Sequence, residues 1–333
     1  MINTTLTAIK GIAVGHAVLP DAASGCTVVL PEGGAVAAVD VRGGAPGTYG
    51  TDTLNPINLV ERIHGLFFTG GSGFGLSVAD GLRRFLRERN VGFDSGSGLI
   101  PIVAGAVIFD LGINCSDRYP DAALGYAACE NASSELVAEG CVGAGLGATV
   151  GKLYGLDRAV KSGLGSAFFR SATGVEVGAL IVVNAFGDIV DPALCRRIAG
   201  CRKSVRSCEL LDSQDEIQRM TRLRVFHEGQ HTVVGVVATN VNLNKTQLTK
   251  VAQMAHDGLA RTVYPAHTQY DGDTIFALSC GDMGPVDVTV VGAIAAEVTA
   301  QAILRGVRKA HRLGSLPAGE DLVYPSPAEQ EIS

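Results

Sequence analysis

Tryptophan is absent from the 333 residues, so no interface or ligand argument can rest on one. Charge is sparse as well. Asp, Glu, Lys and Arg make up 18% of the chain, against roughly a quarter in an average globular protein. There is no positive excess, since the formal net charge is -6, and that argues against a nucleic-acid binder. The one basic cluster, Arg196-Arg197 with Arg202, Lys203 and Arg206, reads as a solvated segment rather than a phosphate track. The longest apolar runs, such as Ile102–Phe109, are too short to span a bilayer. Met1 to Pro20 lacks the basic stretch and long apolar core of a signal peptide. No Cys-x-x-Cys pair occurs among the eight cysteines, so reduced thiols in a cytoplasm are expected. Cys195, Cys201 and Cys208 match no zinc spacing, and no metal site is predicted.

What is abundant is glycine, at 43 of 333 residues. With Ala, Val and little charge, it suggests packed sheets, close backbone approaches and surface lost to oligomer contacts. Internal repeats and low-complexity segments are missing. Strand-like runs dominate early, at 11–14, 26–30 and 35–41, the last bounded by Gly33-Gly34 and Gly43-Gly44. Leu66-Phe67-Phe68 leads into a glycine-rich turn, and residues 76–89 have helical spacing. A second helix is predicted over 119–133, with Asp117 nearby as a cap. Strands are predicted at 144–150, 176–184, 274–279 and 286–290, and helices at 245–260 and 292–310. Residues 191–231 read as an exposed connector, partly helical around 209–222. Strands and helices come in blocks, which predicts an α+β fold of antiparallel sheets covered by helices.

Four features bear on chemistry. At Thr232 a β-branched run, Thr232-Val233-Val234-Gly235-Val236-Val237, begins directly after a polar stretch ending in His231. A cut before Thr232 would give that residue a free α-amine beside its own hydroxyl, and such an amine can act as general base for the hydroxyl. Asp271-Gly272-Asp273 could hold a cation or a substrate ammonium, although an Asp-Gly turn is the plainer reading. Lys152 and Asn184 each end an apolar run, as satisfied turn residues or as oxyanion donors. The Gly70–Gly75 loop before a helix has the form of an anion site. It lacks the Lys-Ser/Thr of a Walker motif and the dinucleotide spacing. No His-Glu-x-x-His and no Gly-x-Ser-x-Gly elbow is present.

Several motifs in order resemble one family. They are Val39-Asp40-Val41-Arg42-Gly43-Gly44-Ala45, Gly70-Gly71-Ser72-Gly73-Phe74-Gly75-Leu76, Tyr119-Pro120-Asp121 with Leu124-Gly125, Gly143-Ala144-Gly145 to Gly151-Lys152, Val182-Val183-Asn184, Thr232–Asn240 and Asp271-Gly272-Asp273-Thr274. Over nearly its whole length the chain resembles the self-processing aminopeptidases, which include D-aminopeptidases/esterases, β-peptidyl aminopeptidases and nylon-oligomer hydrolase. The resemblance implies a layered αββα sandwich of the N-terminal nucleophile type. It implies a single catalytic domain cut at His231-Thr232 into residues 1–231 and 232–333, with Thr232 as nucleophile. It assigns Asp271, Asp273, Lys152 and Asn184 to the active site, and Gly71, Ser72 and Gly73 with Phe109 to a substrate-binding or oxyanion loop. Phe109 is a departure, because the nylon-oligomer branch carries Tyr there. His231 is another, standing where Gly or Asn is expected.

The implied reaction is hydrolysis of small peptides or amino-acid amides through an acyl-threonine ester, with no metal or organic cofactor. The expected partners are a small peptide or amide substrate and further copies of the chain, as a tetramer of cleaved heterodimers. Neither nucleic acid nor membrane is expected to bind. The rival readings are a self-cleaving acyltransferase that moves the acyl group to an amine, a nylon-oligomer-type endo-amidase, a nucleotide binder using the glycine-rich loop, and an uncut chain with a structural role.

Overall fold

In the strand Glu176–Asn184, Leu180 and Val182 pack to one side while Ala179, Ile181 and Val183 pack to the other, and all five are fully buried. Both faces of this strand are therefore covered, which is why its sequence is an unbroken apolar run rather than an alternation. The computed structural model describes residues 2–113, 117–223 and 231–323. The strand belongs to a six-stranded sheet ordered Leu164–Arg170, Glu176–Asn184, Thr232–Val241, Thr274–Met283, Ala35–Val41 and Arg62–Ile63. A five-stranded sheet is ordered Ile12–Val18, Gly25–Pro31, Gly65–Thr69, Val103–Val107 and Thr48–Tyr49.

The two sheets face each other across one core. Leu66 and Phe68 of the five-stranded sheet meet Val234, Val236, Phe276 and Leu278 of the six-stranded one, with the Phe68 and Phe276 rings edge to face at 6.1 Å. Five α-helices complete the described residues: α1 (Val78–Glu88), α2 (Ala122–Glu130), α3 (Ser213–Gln218), α4 (Lys245–Ala260) and α5 (Val288–Arg308). Leu82, Phe85 and Leu86 of α1, with Ala128 and Cys129 of α2, cover the outer face of the five-stranded sheet. Helices α4 and α5 cover the outer face of the other. The result is the expected αββα sandwich. By length and composition α5 could cross a membrane, yet 67% of its most apolar window is buried. Its approach to α4 depends on Gly258, where a Cβ would lie 1.9 Å from the Ala296 carbonyl oxygen.

Several expectations need correction. Both sheets are mixed rather than antiparallel: Thr232–Val241 runs parallel to Thr274–Met283, and Gly65–Thr69 runs parallel to Val103–Val107. A parallel pair needs a crossover, and α4 and α1 lie between the respective strands. Val288 opens a helix, not a strand, because the Asp287 side chain accepts the Thr289 N–H as an N-cap. The cap of α2 is Asp121, which accepts the Leu124 N–H; Asp117 is not the cap. Residues 144–150 form mainly a 3-10 turn at Gly143–Gly145, and only Thr149–Val150 pairs as strand. The connector at 191–231 is not simply exposed. Arg196–Ala199 pairs with Asp188–Asp191, Cys201 and Arg202 are buried, and α3 is held by Asp212 at its N-terminus. Residues 224–230 of that stretch lie outside the described residues.

Candidate active site

Parallel pairing brings Asp271-Gly272-Asp273 alongside His231-Thr232-Val233. His231 bridges to Asp271, and Val234 is in register with Thr274. The Gly272 N–H donates to the His231 carbonyl oxygen at 2.8 Å, and the Thr232 hydroxyl donates to the same oxygen. Asp273 Oδ1 accepts the Val233 N–H at 2.9 Å. The two carboxylates therefore flank the His231-Thr232 peptide, with Gly272 against the Thr232 side chain. His231, Thr232, Asp271 and Asp273 are all buried.

The turn carrying the carboxylates is held from outside by residues 42–45. The Arg42 N–H reaches the Asp273 carbonyl at 2.9 Å, and the Ala45 N–H reaches that of Asp271 at 2.8 Å. Such proximity requires glycine at position 43, because a Cβ there would sit 2.3 Å from the Asp271 carbonyl oxygen. That requirement gives the Gly43-Gly44 pair a physical meaning beyond a turn.

On the other side, Asn184 stands opposite Thr232 in the antiparallel register. Lys152 Nζ donates to Asn184 Oδ1 at 2.7 Å and to the Asn184 carbonyl at 2.9 Å. Asn184 Oδ1 also accepts the Thr149 N–H at 3.1 Å. The Asn184 amide donates to the Phe109 carbonyl at 3.1 Å, so Phe109 is tied in by its backbone rather than its ring. Its neighbour Asp110 accepts the Gly71 N–H at 2.7 Å. Gly71 is thus linked to Asn184 at one remove. Ser72 is half-buried and donates its N–H to Ile108, Gly73 is exposed, and no described hydrogen bond joins either to Thr232. Among the described residues no His, Cys, Asp and Glu group is arranged to hold a metal ion.

Burial sets the electrostatics. It pushes Lys152 down to about 7, against the pull of Asp271 and Asp110. Burial, with Asp273 adding to it, pushes Asp271 up to about 7, against hydrogen bonds from Thr268 and Phe186. His231 is pushed down to about 2 by burial and then by Lys152. Its imidazole is therefore neutral across the working range.

Sequence reasoning missed several supporting groups. His267 grips Asp273 Oδ2 with both its backbone N–H, at 3.0 Å, and its ring Nδ1, at 2.8 Å. The backbone there is left-handed, with φ 55°. Asp271 accepts the Thr268 hydroxyl at 2.5 Å and the Phe186 N–H at 3.2 Å. The adjacency of His267-Thr268 to Asp271 in the chain was the available signal. Nothing in a sequence marks the Gly272 N–H as a donor.

A four-layer sandwich thus gathers a hydroxyl, a lysine and two carboxylates at one strand end, a set suited to acyl chemistry. The model of peptidase family S58 matches residues 4–317. The chain belongs to that family, and as a peptidase of this kind it is an amide-bond hydrolase. It is 41% identical to an uncharacterized aminopeptidase of Mycobacterium tuberculosis, over 96% of this chain and 97% of the relative. It is 32% identical to a 6-aminohexanoate-oligomer endohydrolase of Paenarthrobacter ureafaciens, over 88% of this chain and 83% of the relative. Among solved structures, the L-aminopeptidase D-Ala-esterase/amidase of Ochrobactrum anthropi matches with a TM-score of 0.68 at 19% identity, covering 96% of this chain and 89% of that one. A Burkholderia β-aminopeptidase matches with a TM-score of 0.67 at 22% identity, covering 95% and 90%. At such identities these two establish the fold.

Proposed function

We propose that the chain cuts itself between His231 and Thr232, and that the new N-terminal threonine then hydrolyses small peptides or amino-acid amides as an aminopeptidase-type amidase. One observation carries this reading. The Thr232 hydroxyl and the Gly272 N–H converge on the carbonyl oxygen of the peptide to be cut, between two buried carboxylates. The aminopeptidase name of the 41%-identical relative supports the substrate class.

In the first reaction Thr232 Oγ attacks the His231 carbonyl carbon. The Gly272 N–H faces the oxygen on which negative charge grows. The Oγ proton passes to the Thr232 nitrogen as the C–N bond breaks, leaving the His231 acyl group as an ester on Oγ and a free α-amine on Thr232. Water hydrolyses the ester, and His231 leaves as a carboxylate. A free α-amine has an ordinary pKa of about 7.7–8.0, so a useful share is neutral near pH 7. In turnover that amine takes the Oγ proton while Oγ bonds to the substrate carbonyl carbon. The protonated amine returns the proton to the departing amine of the substrate. Water then cleaves the acyl-threonine ester and releases the acid.

Asp273 and Asp271 orient the new amine. Lys152 fixes Asn184 through two hydrogen bonds and supplies positive charge beside the carbonyl. Removal of one oxyanion donor typically costs about 3–4 kcal/mol of barrier. The two fragments stay associated, because Ala35–Val41 pairs with Thr274–Met283, and Glu176–Asn184 pairs with Thr232–Val241.

The test is the intact mass of the purified protein. The wild type is expected as two fragments of about 24 and 10 kDa, as an N-terminal nucleophile requires, and Thr232→Ala as one inactive chain. A wild type that stays whole yet hydrolyses amides removes the α-amine from the mechanism. Strict dependence on an added acceptor amine would favour acyl transfer over hydrolysis.

A further inference from the structure

We infer that the space filled by the His231 side chain in the uncut chain is the pocket for the acyl residue of the substrate, and that it selects an uncharged planar side chain, aromatic or imidazole. The inference rests on Thr232 being the nucleophile in both reactions. One hydroxyl on a fixed strand has one line of attack. The acyl carbonyl oxygen then meets the Gly272 N–H in both reactions, while the leaving nitrogen is the Thr232 α-nitrogen in self-cleavage and the substrate's own in turnover. In self-cleavage that carbonyl belongs to His231, so its side chain marks where an acyl side chain goes.

The lining favours flat, uncharged groups. The His231 ring lies 5.2 Å from the Phe186 ring, and Phe186 lies 6.1 Å from Tyr270. Phe186 is fully buried with Leu153 and Cys201, and Ile217, Met220 and Leu223 pack over that cluster. Among the described residues neither His231 nitrogen has a hydrogen-bond partner, although the residue is only 3% exposed. Nothing in the pocket therefore asks for an imidazole in particular, and a phenyl ring fills the same volume without stranding two polar atoms. The charge that acts on the ring is that of Lys152. A cationic side chain meets like charge there, and a carboxylate would be buried against apolar carbon. Departure of His231 after the cut empties the space. Its walls come from both fragments, with Phe186 and residues 217–223 upstream of the cut and Tyr270 downstream.

The first arm of the experiment needs no variant to fold. Processed wild-type enzyme is given a series of aminoacyl p-nitroanilides carrying Phe, Tyr, His, Leu, Lys or Glu. The Phe, Tyr and His substrates are expected to exceed Lys and Glu in kcat/KM by about tenfold or more. In parallel, self-cleavage of His231→Phe, His231→Leu, His231→Lys and His231→Glu is followed by intact mass. His231→Phe is expected to cut at least as fast as the wild type, and the variants are expected to rank as the substrates do. A flat series, a preference for Lys or Glu, or rank orders without relation would overturn the pocket. Hydrolysis by Thr232→Ala would instead remove the nucleophile reading on which the pocket depends.

Discussion

Asp271→Asn is expected to make the protein more stable at pH 8 and no more stable at pH 4. In the fold the carboxyl is buried, with Asp273 beside it, and its pKa rises from 3.8 to about 7. Well below pH 3.8 the group is neutral in both folded and unfolded chains and costs nothing, and at pH 4 its cost is still under about 1 kcal/mol. Between about 4 and 7 the unfolded chain releases the proton first, so stability falls as pH rises; above the folded pKa the loss is complete. About three units at about 1.4 kcal/mol each give a loss of about 4 kcal/mol. The amide escapes that loss. Asn can still accept the Phe186 N–H but presents an NH₂ group where Oδ2 received the Thr268 N–H and hydroxyl. One stranded buried N–H costs about 1–3 kcal/mol. The net gain at pH 8 is then about 1–3 kcal/mol. Urea denaturation at pH 4, 6 and 8, in a Thr232→Ala background that keeps every sample uncut, reads it directly. A difference between Asp and Asn that stays constant across the three pH values would refute the buried, proton-retaining Asp271. The same substitution is expected to lower activity in the wild-type background, so stability and turnover move in opposite directions.

Gly272→Ala puts a Cβ 2.8 Å from the Ala45 carbonyl oxygen and 3.1 Å from Thr232 Oγ1. Self-cleavage measured by intact mass is expected to slow at least about tenfold, as for a reacting atom displaced by a fraction of an ångström; an unchanged rate would contradict the placement of Gly272. Lys152→Met removes both hydrogen bonds to Asn184 while keeping the length of the apolar stem. Steady-state kinetics on processed material are expected to show kcat reduced by about a hundredfold with KM changed far less, and a pure KM effect would assign Lys152 to substrate binding instead.

The residues nearest the reacting peptide were legible because they announce themselves locally. A β-branched run opening on Thr232 and a carboxylate either side of Gly272 are patterns within a few residues. Lys152 and Asn184 stood out as polar ends of apolar runs, but only the resemblance placed them in one site, since 32 residues of chain separate partners that meet at 2.7 Å. The grip of His267 on Asp273 depends on a left-handed backbone at His267 that its residue type does not demand. Gly272 acts through an N–H that every residue but proline possesses. The parallel pairing was missed although strand, helix and strand at 232–241, 245–260 and 274–283 follow one another; blocks of strands elsewhere outweighed that local βαβ order. The start of α5 failed for a related reason. Val286, Val288 and Val290 read as strand, and only the Asp287 cap and the packing beneath them decide for helix.

The position of the proposed cut would let one set of donors serve two reactions. Thr232 is the first residue of its strand, and the ladder to Glu176–Asn184 runs from Asn184 opposite Thr232 onward. Breaking the preceding peptide severs no pairing within the Thr232–Val241 strand, so the scaffold has no reason to relax. Asp273 holds the Val233 N–H one residue beyond the proposed cut, which would keep a new terminus where the peptide lay. On the proposed reading, the Gly272 N–H that faced the His231 carbonyl then faces whatever carbonyl takes its place. A nucleophile placed mid-strand would have to tear two ladders to be freed. One placed on a loop would lose its alignment with Gly272 on release. The first position of a strand flanked by a parallel neighbour bearing Asp271 and Asp273 avoids both costs, which favours the proposed chemistry there over the glycine-rich loop.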